Sequence, residues 1–317
     1  MVSVIVPLFN KAAYIRRTVD SILRQSYADF ELIVVDDGST DGSREIVESL
    51  GVPGLHLISQ PNAGPGAARN AGIAAARGSL LAFLDADDEW FPTFLERSVE
   101  LLEREPGAAS VTSAWVREPP GESTVPRWHE RGLRSRTYRL DEHSGPAFAV
   151  SLLAFASWPC STVMRAETVR KYGGFYERGC TYGEDAFLTL KILMNEATIV
   201  NLEPLASYHV DASALNRGAF ALRGIEAFLQ DPSEVYAACP ADLKALLRDV
   251  LAARALKTAC VLTYWGRWRE GRDLVRRFRS RSAWRLPFFA QALVAVNPVG
   301  AAAASAWRSC RPLRTIA

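Results

Sequence analysis

Residues 30–43 read FELIVVDDGSTDGS. Leu32 to Val35 form an unbroken apolar run that meets two adjacent aspartates, Asp36 and Asp37, and then a turn of glycine, serine and threonine. A short strand apolar on both alternating faces belongs in a sheet covered on both sides, the usual setting of parallel strands. Working outward, VSVIVPLF (2–9) reads as another buried strand. KAAYIRRTVDSILRQ (11–25) reads as a helix with Tyr14, Ile15, Val19, Ile22 and Leu23 on one face and Asn10 as N-cap. DGSREIVESL (41–50) is a short helix, LHLISQ (55–60) a strand, GPGAARNAGIAAARG (64–78) a helix closed by Gly78, and SLLAFLDADD (79–88) a further strand. Strands alternating with helices predict a parallel α/β sheet, whose ligands bind at the carboxyl ends of the strands. Asp36 and Asp37 end one strand; Asp85, Asp87 and Asp88 end another, so all five fall on one sheet edge.

Composition narrows the class. With 49% hydrophobic and 23% charged residues, the 317-residue chain suits a globular protein of one large domain or a domain plus an appendage. A net charge of +2 gives no polyelectrolyte character, so no nucleic-acid partner is expected. The five cysteines, Cys160, Cys180, Cys239, Cys260 and Cys310, lack paired spacing, which argues against a disulfide framework or zinc site and fits a reducing cytoplasm. The opening MVSVIVPLFN has no basic leader, and no stretch reaches the ~18 uninterrupted apolar residues of a membrane span. LPFFAQALVAVNPVGAAAASAW (286–307) comes nearest but is broken by Gln291, Asn297, Pro298 and Gly300.

Clustered carboxylates repel unless a cation or donors join them. Asp often serves turns and caps, but DDGSTDGS and LDADD, each directly after an apolar strand, point to hard oxygen ligands for Mg²⁺ or Mn²⁺ carried with a diphosphate.

The order of VSVIVPLFNKAAYIRRTVDSILRQSYADFELIVVDDGSTDGS, NAGPGAARNAGIAAARGSLLAFLDADD and YGEDAFLTLKI resembles the family 2 glycosyltransferases over about residues 1–210. The resemblance implies the GT-A, nucleotide-diphospho-sugar transferase fold: a mostly parallel central sheet flanked by helices, here with a C-terminal helical appendage. It implies a catalytic domain over 1–215, with a nucleotide-binding half (1–115) and an acceptor and base half (116–215), then a helical region over 216–317. The implied reaction is an inverting, metal-dependent transfer of a sugar from a nucleotide diphosphate, UDP the commonest, to a hydroxyl of a glycan or lipid-linked acceptor. By position, Pro7 and Phe9 would line the nucleoside pocket, Asp36 bind base or ribose, Arg69 reach base or phosphate, and Asp85 contact ribose or a metal-bound water. Asp87 would ligate Mn²⁺ or Mg²⁺, and Asp185 would be the catalytic base with Glu184 in support.

The residues fit those roles, and each also admits a structural reading. A carboxylate can take the acceptor's proton, and acids in the first turn of EDAFLTLKILM also suit the helix dipole. Arg69 serves a diphosphate or solvates its helix. His209, in LASYHVDASAL, is a weak metal candidate or a satisfied structural histidine. Trp158, in FASWPCSTVMRAE, floors an acceptor sugar or joins the core. Residues 117–139, with five arginines from Arg127 to Arg139, read as a loop excursion beside the site.

The tail is helical, without repeats. YWGRWREGRDLVRRFRSRSAWRLPFFAQALVAV (264–296) joins an arginine run to an apolar stretch, the composition of a segment lying on an anionic membrane, and equally of a solvated helix packed on its domain or of an oligomer contact. The expectation is therefore a cytoplasmic enzyme touching the inner leaflet through residues 265–307, with a homo-oligomer left open. Other classes fit less well. PLFNKA lacks the G-x-G-x-x-G of a nicotinamide enzyme, and DDGST lacks D-x-D-x-T spacing. A sugar-nucleotide-binding scaffold without catalysis is the remaining alternative.

Overall fold

Val2, Val4, Ile5, Val6 and Leu8 have no solvent exposure, so the first strand is covered on both faces. This is seen in a computed structural model that describes residues 1–178, 182–212, 224–281, 283–300, 302–303 and 306. The strands are β1 (Val2–Leu8), β2 (Phe30–Asp36), β3 (His56–Ser59), β4 (Leu80–Phe83), β5 (Glu89–Trp90), β6 (Ala108–Glu118), β7 (Glu122–Ser123), β8 (Arg136–Tyr138), β9 (Thr162–Arg165) and β10 (Ala197–His209). The helices are α1 (Ile15–Leu23), α2 (Ser43–Ser49), α3 (Pro65–Ala75), α4 (Phe94–Arg104), α5 (Val125–Glu130), α6 (Pro146–Ala156), α7 (Ala166–Lys171), α8 (Glu184–Leu193), α9 (Ala227–Gln230), α10 (Ser233–Ala238), α11 (Lys244–Tyr264), α12 (Trp268–Arg277) and α13 (Phe289–Ala295).

The sheet runs β3-β2-β1-β4-β9-β6-β10-β5, with β7 on β6 and β8 on β10. β1, β2, β3 and β4 are parallel, and β6 is parallel to β10. β9 lies antiparallel between β4 and β6, so the sheet is mixed. That inversion joins two parallel blocks, and no local pattern in the sequence announces it. Val4, Val6, Leu32, Val34 and Ala82 face a core shared with Ile15, Val19 and Ile22 of α1 and with Phe94, Leu95 and Val99 of α4. The opposite face meets α3, where a Cβ on Gly72 would fall 2.4 Å from Ile5 Cγ2. Only glycine lets α3 lie this close to β1, and that approach sets the position of Arg69 one helical turn earlier.

Several local expectations change. Leu23 is 47% exposed rather than on the buried face of α1. Asn10 is not its N-cap: it has φ +50° and accepts Thr40 N (2.8 Å) across the neighbouring turn. Residues 117–139 are not a plain loop but carry β7, α5 and β8, with Trp128 only 2% exposed against Trp115 and Phe155. Gly78 does not cap α3, which gives way to extended backbone at Ala76.

The chain divides into two units, Met1–Leu140 with Ser151–Asn216, and Asp141–Val150 with Arg217–Ala317. The second is helical. Its long helix α11 buries Leu247, Val250, Leu251 and Leu262 and takes α12 at a close crossing, where a Cβ on Gly271 would stand 3.0 Å from Ala259 O. A buried Arg254–Glu226 pair ties α11 to the turn before α9. No helix among the described residues is long and apolar enough to cross a membrane.

Candidate active site

The acids after β2 divide their work. Asp36, 4% exposed, accepts Ser39 N (3.1 Å) at the end of its strand. Asp37 accepts Gln60 Nε2 (2.8 Å), Ala63 N (2.9 Å) and Gly64 N (2.8 Å), which fixes the loop leading into α3. Pro7 and Leu8 pair with Val35 and Asp36, and Phe9 beyond them is 45% exposed at the same edge.

The acids after β4 are held differently. Asp85 is bonded by Arg69 Nη2 (2.7 Å), and its backbone N donates to Cys160 Sγ (3.3 Å). Asp87 is bonded by Lys11 Nζ (2.5 Å). Asp88, 1% exposed, accepts His209 N (3.0 Å). Burial and the neighbouring Asp85 raise the Asp87 pKa against the pull of Lys11, and burial with Asp87 and Asp85 raises Asp88 well above the carboxylate range. Burial likewise pushes the Cys160 thiol well up, with Asp85 and Asp88 adding to it.

Arg69 joins this edge to the start of α8. It is 4% exposed, and its guanidinium bonds Asp85 on one side and Glu184 Oε1 (2.9 Å) on the other. Burial alone would lower its pKa, but the two carboxylates outweigh that and raise it. Arg69 thus clamps the two acids together, with one N–H of each terminal nitrogen given to a carboxylate. The neighbouring Asn70 pairs with Phe175 through both its amide atoms, donating to the carbonyl (2.8 Å) and accepting from the N–H (2.9 Å). A Cβ on Gly66 would lie 2.2 Å from Tyr176 O. So α3 grips Phe175 and Tyr176, ahead of α8, and through Arg69 ties Glu184 at the start of α8 to Asp85. Asp185 is half-buried and accepts Ala186 N (2.6 Å). Burial, then the Glu184 charge, push its pKa up to about 8.

The two weaker candidates border that cluster, with side chains that make other contacts. The His209 ring bonds Glu89 Oε1 (2.9 Å), which also pairs with Arg17, so its nitrogen is engaged away from the β4 acids. Trp158 is half-buried in an aromatic cluster, 4.8 Å from Trp115 and 5.6 Å from Tyr208 between ring centroids. It stands two residues from Cys160, which places that cluster next to Asp85. Lys11, Asn70 and Cys160 escaped the sequence reading of the site, and Asp88 was placed on the sheet edge without a role of its own. Only Asp88, inside LDADD, carried a local signal; the others matter through contacts distant in sequence.

The acids suit a divalent cation. Asp85, Asp87, Asp88, Glu184 and Asp185 share only Lys11 and Arg69 as cations paired to them among the described residues. Ligand atoms of Asp85, Asp88 and Cys160 lie within 4.8 Å of one another. The carboxylates are hard donors suited to Mg²⁺ or Mn²⁺; the thiol, held protonated, adds little for such an ion.

A mixed sheet with acids gathered at one strand edge defines a nucleotide-diphospho-sugar transferase fold, and solved structures agree. S. aureus TarS 1–349 in complex with UDP-GlcNAc matches with a TM-score of 0.66 at 19% identity, covering 99% of this chain and 93% of that one. The Pyrobaculum calidifontis mannosyltransferase PcManGT, in complex with GDP-Man and Mn²⁺, matches at 0.50 and 20% identity, covering 98% and 79%. The chain belongs to glycosyl transferase family 2, whose description it matches over residues 3–173. Among curated relatives, an uncharacterized glycosyltransferase of Nostoc sp., alr2836, is 46% identical over 105 residues, 32% of this chain and 33% of its own length. The putative teichuronic acid biosynthesis glycosyltransferase TuaG of Bacillus subtilis is 40% identical over 115 residues, 35% and 46% of the two lengths. These matches span less than half of either relative.

Proposed function

We propose that the protein is an inverting, metal-dependent glycosyltransferase that moves a sugar from a nucleotide diphosphate, a UDP-sugar first, to a hydroxyl of a glycan or lipid-linked acceptor. The observation that carries this reading is the Arg69 clamp, which bonds Asp85 and Glu184 at once and so brings the donor-side acids and the Asp185 pair into one network. Asp36, with Pro7 and Phe9, takes the nucleoside; Asp87, beside Asp85, holds the divalent cation, which when bound offsets charge on the leaving diphosphate. Asp185 accepts the proton of the acceptor hydroxyl as its oxygen bonds the anomeric carbon and the bond to phosphate breaks. A pKa near 8 makes that carboxylate a stronger base than an ordinary aspartate. A thermal-shift screen of nucleoside diphosphates with Mn²⁺ tests the donor side, since a ligand stabilises by mass action. Product NMR tests the chemistry. Retained anomeric configuration overturns the mechanism, and nucleotide binding with no transfer to any acceptor favours the scaffold alternative.

For residues 265–307 we propose contact with an anionic membrane surface. Trp284, Leu293, Val294 and Val299 are 64%, 62%, 61% and 79% exposed, near Arg276, Arg277, Arg279, Arg281 and Arg285 in sequence. Ser282, Ala301, residues 304–305 and Trp307 lie outside the described residues. Each basic residue at such a surface contributes ~1 kcal/mol. Vesicle co-sedimentation should rise with anionic lipid, fall with salt, and vanish on truncation after residue 264; equal sedimentation of full-length and truncated chains overturns it.

A further inference from the structure

Of the two cations paired to the acids of this edge among the described residues, Lys11 is given no task by the proposed function. Its backbone is anchored: it follows the positive-φ Asn10, and its N–H donates to Ser43 Oγ (2.7 Å). Its side chain is 20% exposed, with Nζ bonded to Asp87 Oδ2 (2.5 Å) and to the Ala212 carbonyl (2.9 Å). An ammonium this close to a carboxylate oxygen takes the place of any other cation on that atom. Asp87 is 10% exposed beside Asp85, so without a cation its charge would be buried next to a like charge.

We propose that Lys11 is a built-in counter-ion: it neutralises Asp87 while the donor is absent and transfers to the donor's diphosphate when a divalent cation takes that carboxylate. This rests on the reading of Asp87 as a metal ligand. The anchored backbone and the long, flexible stem of lysine permit such a move without moving the turn. The donor's diphosphate carries two negative charges and the leaving nucleoside diphosphate a third, more than one divalent cation offsets, so the released ammonium finds an anion at the same strand edge as the sugar departs. Because ammonium and cation compete for Asp87, the ion alone binds weakly. Because Lys11 then serves the diphosphate, ion and nucleotide favour each other's binding, and that coupling is reciprocal.

Calorimetry on the full chain tests this, with Mn²⁺ alone and with UDP at saturating Mn²⁺. Removing the competing charge in Lys11→Met should tighten Mn²⁺ alone by roughly tenfold. The same change should weaken UDP by roughly tenfold, through loss of a charge-assisted bond to phosphate. Lys11→Arg, which keeps the charge, should stay near the parent in both. Lys11→Gln serves as the neutral variant should Lys11→Met melt early. Unchanged or weaker Mn²⁺ binding in the neutral variant, with Asp87→Ala abolishing it, overturns the counter-ion role and leaves the metal assignment standing. Tighter Mn²⁺ with unchanged UDP overturns the transfer to diphosphate. If Asp87→Ala binds Mn²⁺ like the parent, the metal assignment fails and this inference with it.

Discussion

The acids after β2 and those after β4 look alike in sequence, and the structure treats them in opposite ways. Asp37 is saturated: Gln60 Nε2 and the N–H groups of Ala63 and Gly64 converge on its two oxygens. Asp87 and Asp88 lie just as deep yet have few donors, and burial beside like charges raises their pKa. A carboxylate whose acceptor capacity is spent on the fold is architecture; one left short of donors is poised for a cation or a proton. The criterion also separates Glu184, bonded by Arg69, from Asp185, which accepts the adjacent Ala186 N–H.

The largest effect should come from the donor-poor side. Asp87→Ala is expected to abolish Mn²⁺-dependent binding of nucleoside diphosphate and with it sugar transfer. Calorimetry showing unchanged affinity would erase the contrast with Asp37. Next comes Asp185→Asn, which keeps the shape and removes the proton acceptor. Transfer should fall by ~10²–10⁴ with nucleotide binding near the parent's. In the parent, kcat/KM should rise with pH through about 8, because only the ionised carboxylate accepts a proton and its pKa is raised to that value. A flat profile between pH 6 and 9 would remove Asp185 from the role.

The parallel strands and acid-bearing turns were legible because they are local: apolar runs of strand length, ending in Asp and Gly, in βα alternation. The resemblance then named the fold and the acids. What escaped was non-local. Arg69 showed in an alanine-rich helix, but its partners sit 16 and 115 residues further along the chain, so its clamp role emerges only when α3 packs on β1. Lys11 meets Asp87 across 76 residues. The antiparallel β9 and the small elements within residues 117–139 depend on tertiary pairing, and the Pro- and Arg-rich sequence of 117–139 reads as loop.

A smaller effect, on stability, should come from the saturated side. Asp37→Asn places an amide NH₂ where a carboxylate oxygen accepts hydrogen bonds from N–H donors, leaving at least one buried donor unpaired. The expected loss is about 2 kcal/mol in urea unfolding at pH 7. A loss under about 0.5 kcal/mol would mean that those three hydrogen bonds do not hold the loop before α3.

The smallest effect is expected at Asp88, equally buried but donor-poor. Its raised pKa keeps it protonated at pH values where an ordinary aspartate is ionised, so asparagine is close to its isostere. Oδ1 can still accept His209 N, and the amide NH₂ replaces the carboxyl O–H. With metal removed by EDTA, Asp88→Asn should cost under ~1 kcal/mol at pH 5. The sign with pH follows from the same shift. Above the unfolded value of 3.8, the unfolded chain has released this proton while the folded chain keeps it, so the parent loses stability as pH rises toward the folded pKa. Asparagine has no such proton, and the balance should therefore move in favour of the variant between pH 5 and pH 8. Urea midpoints of both proteins at the two pH values decide it. A variant that loses as much as Asp37→Asn at both would show that Asp88 works as an ionised, donor-satisfied carboxylate, and the difference between the two strand ends would disappear.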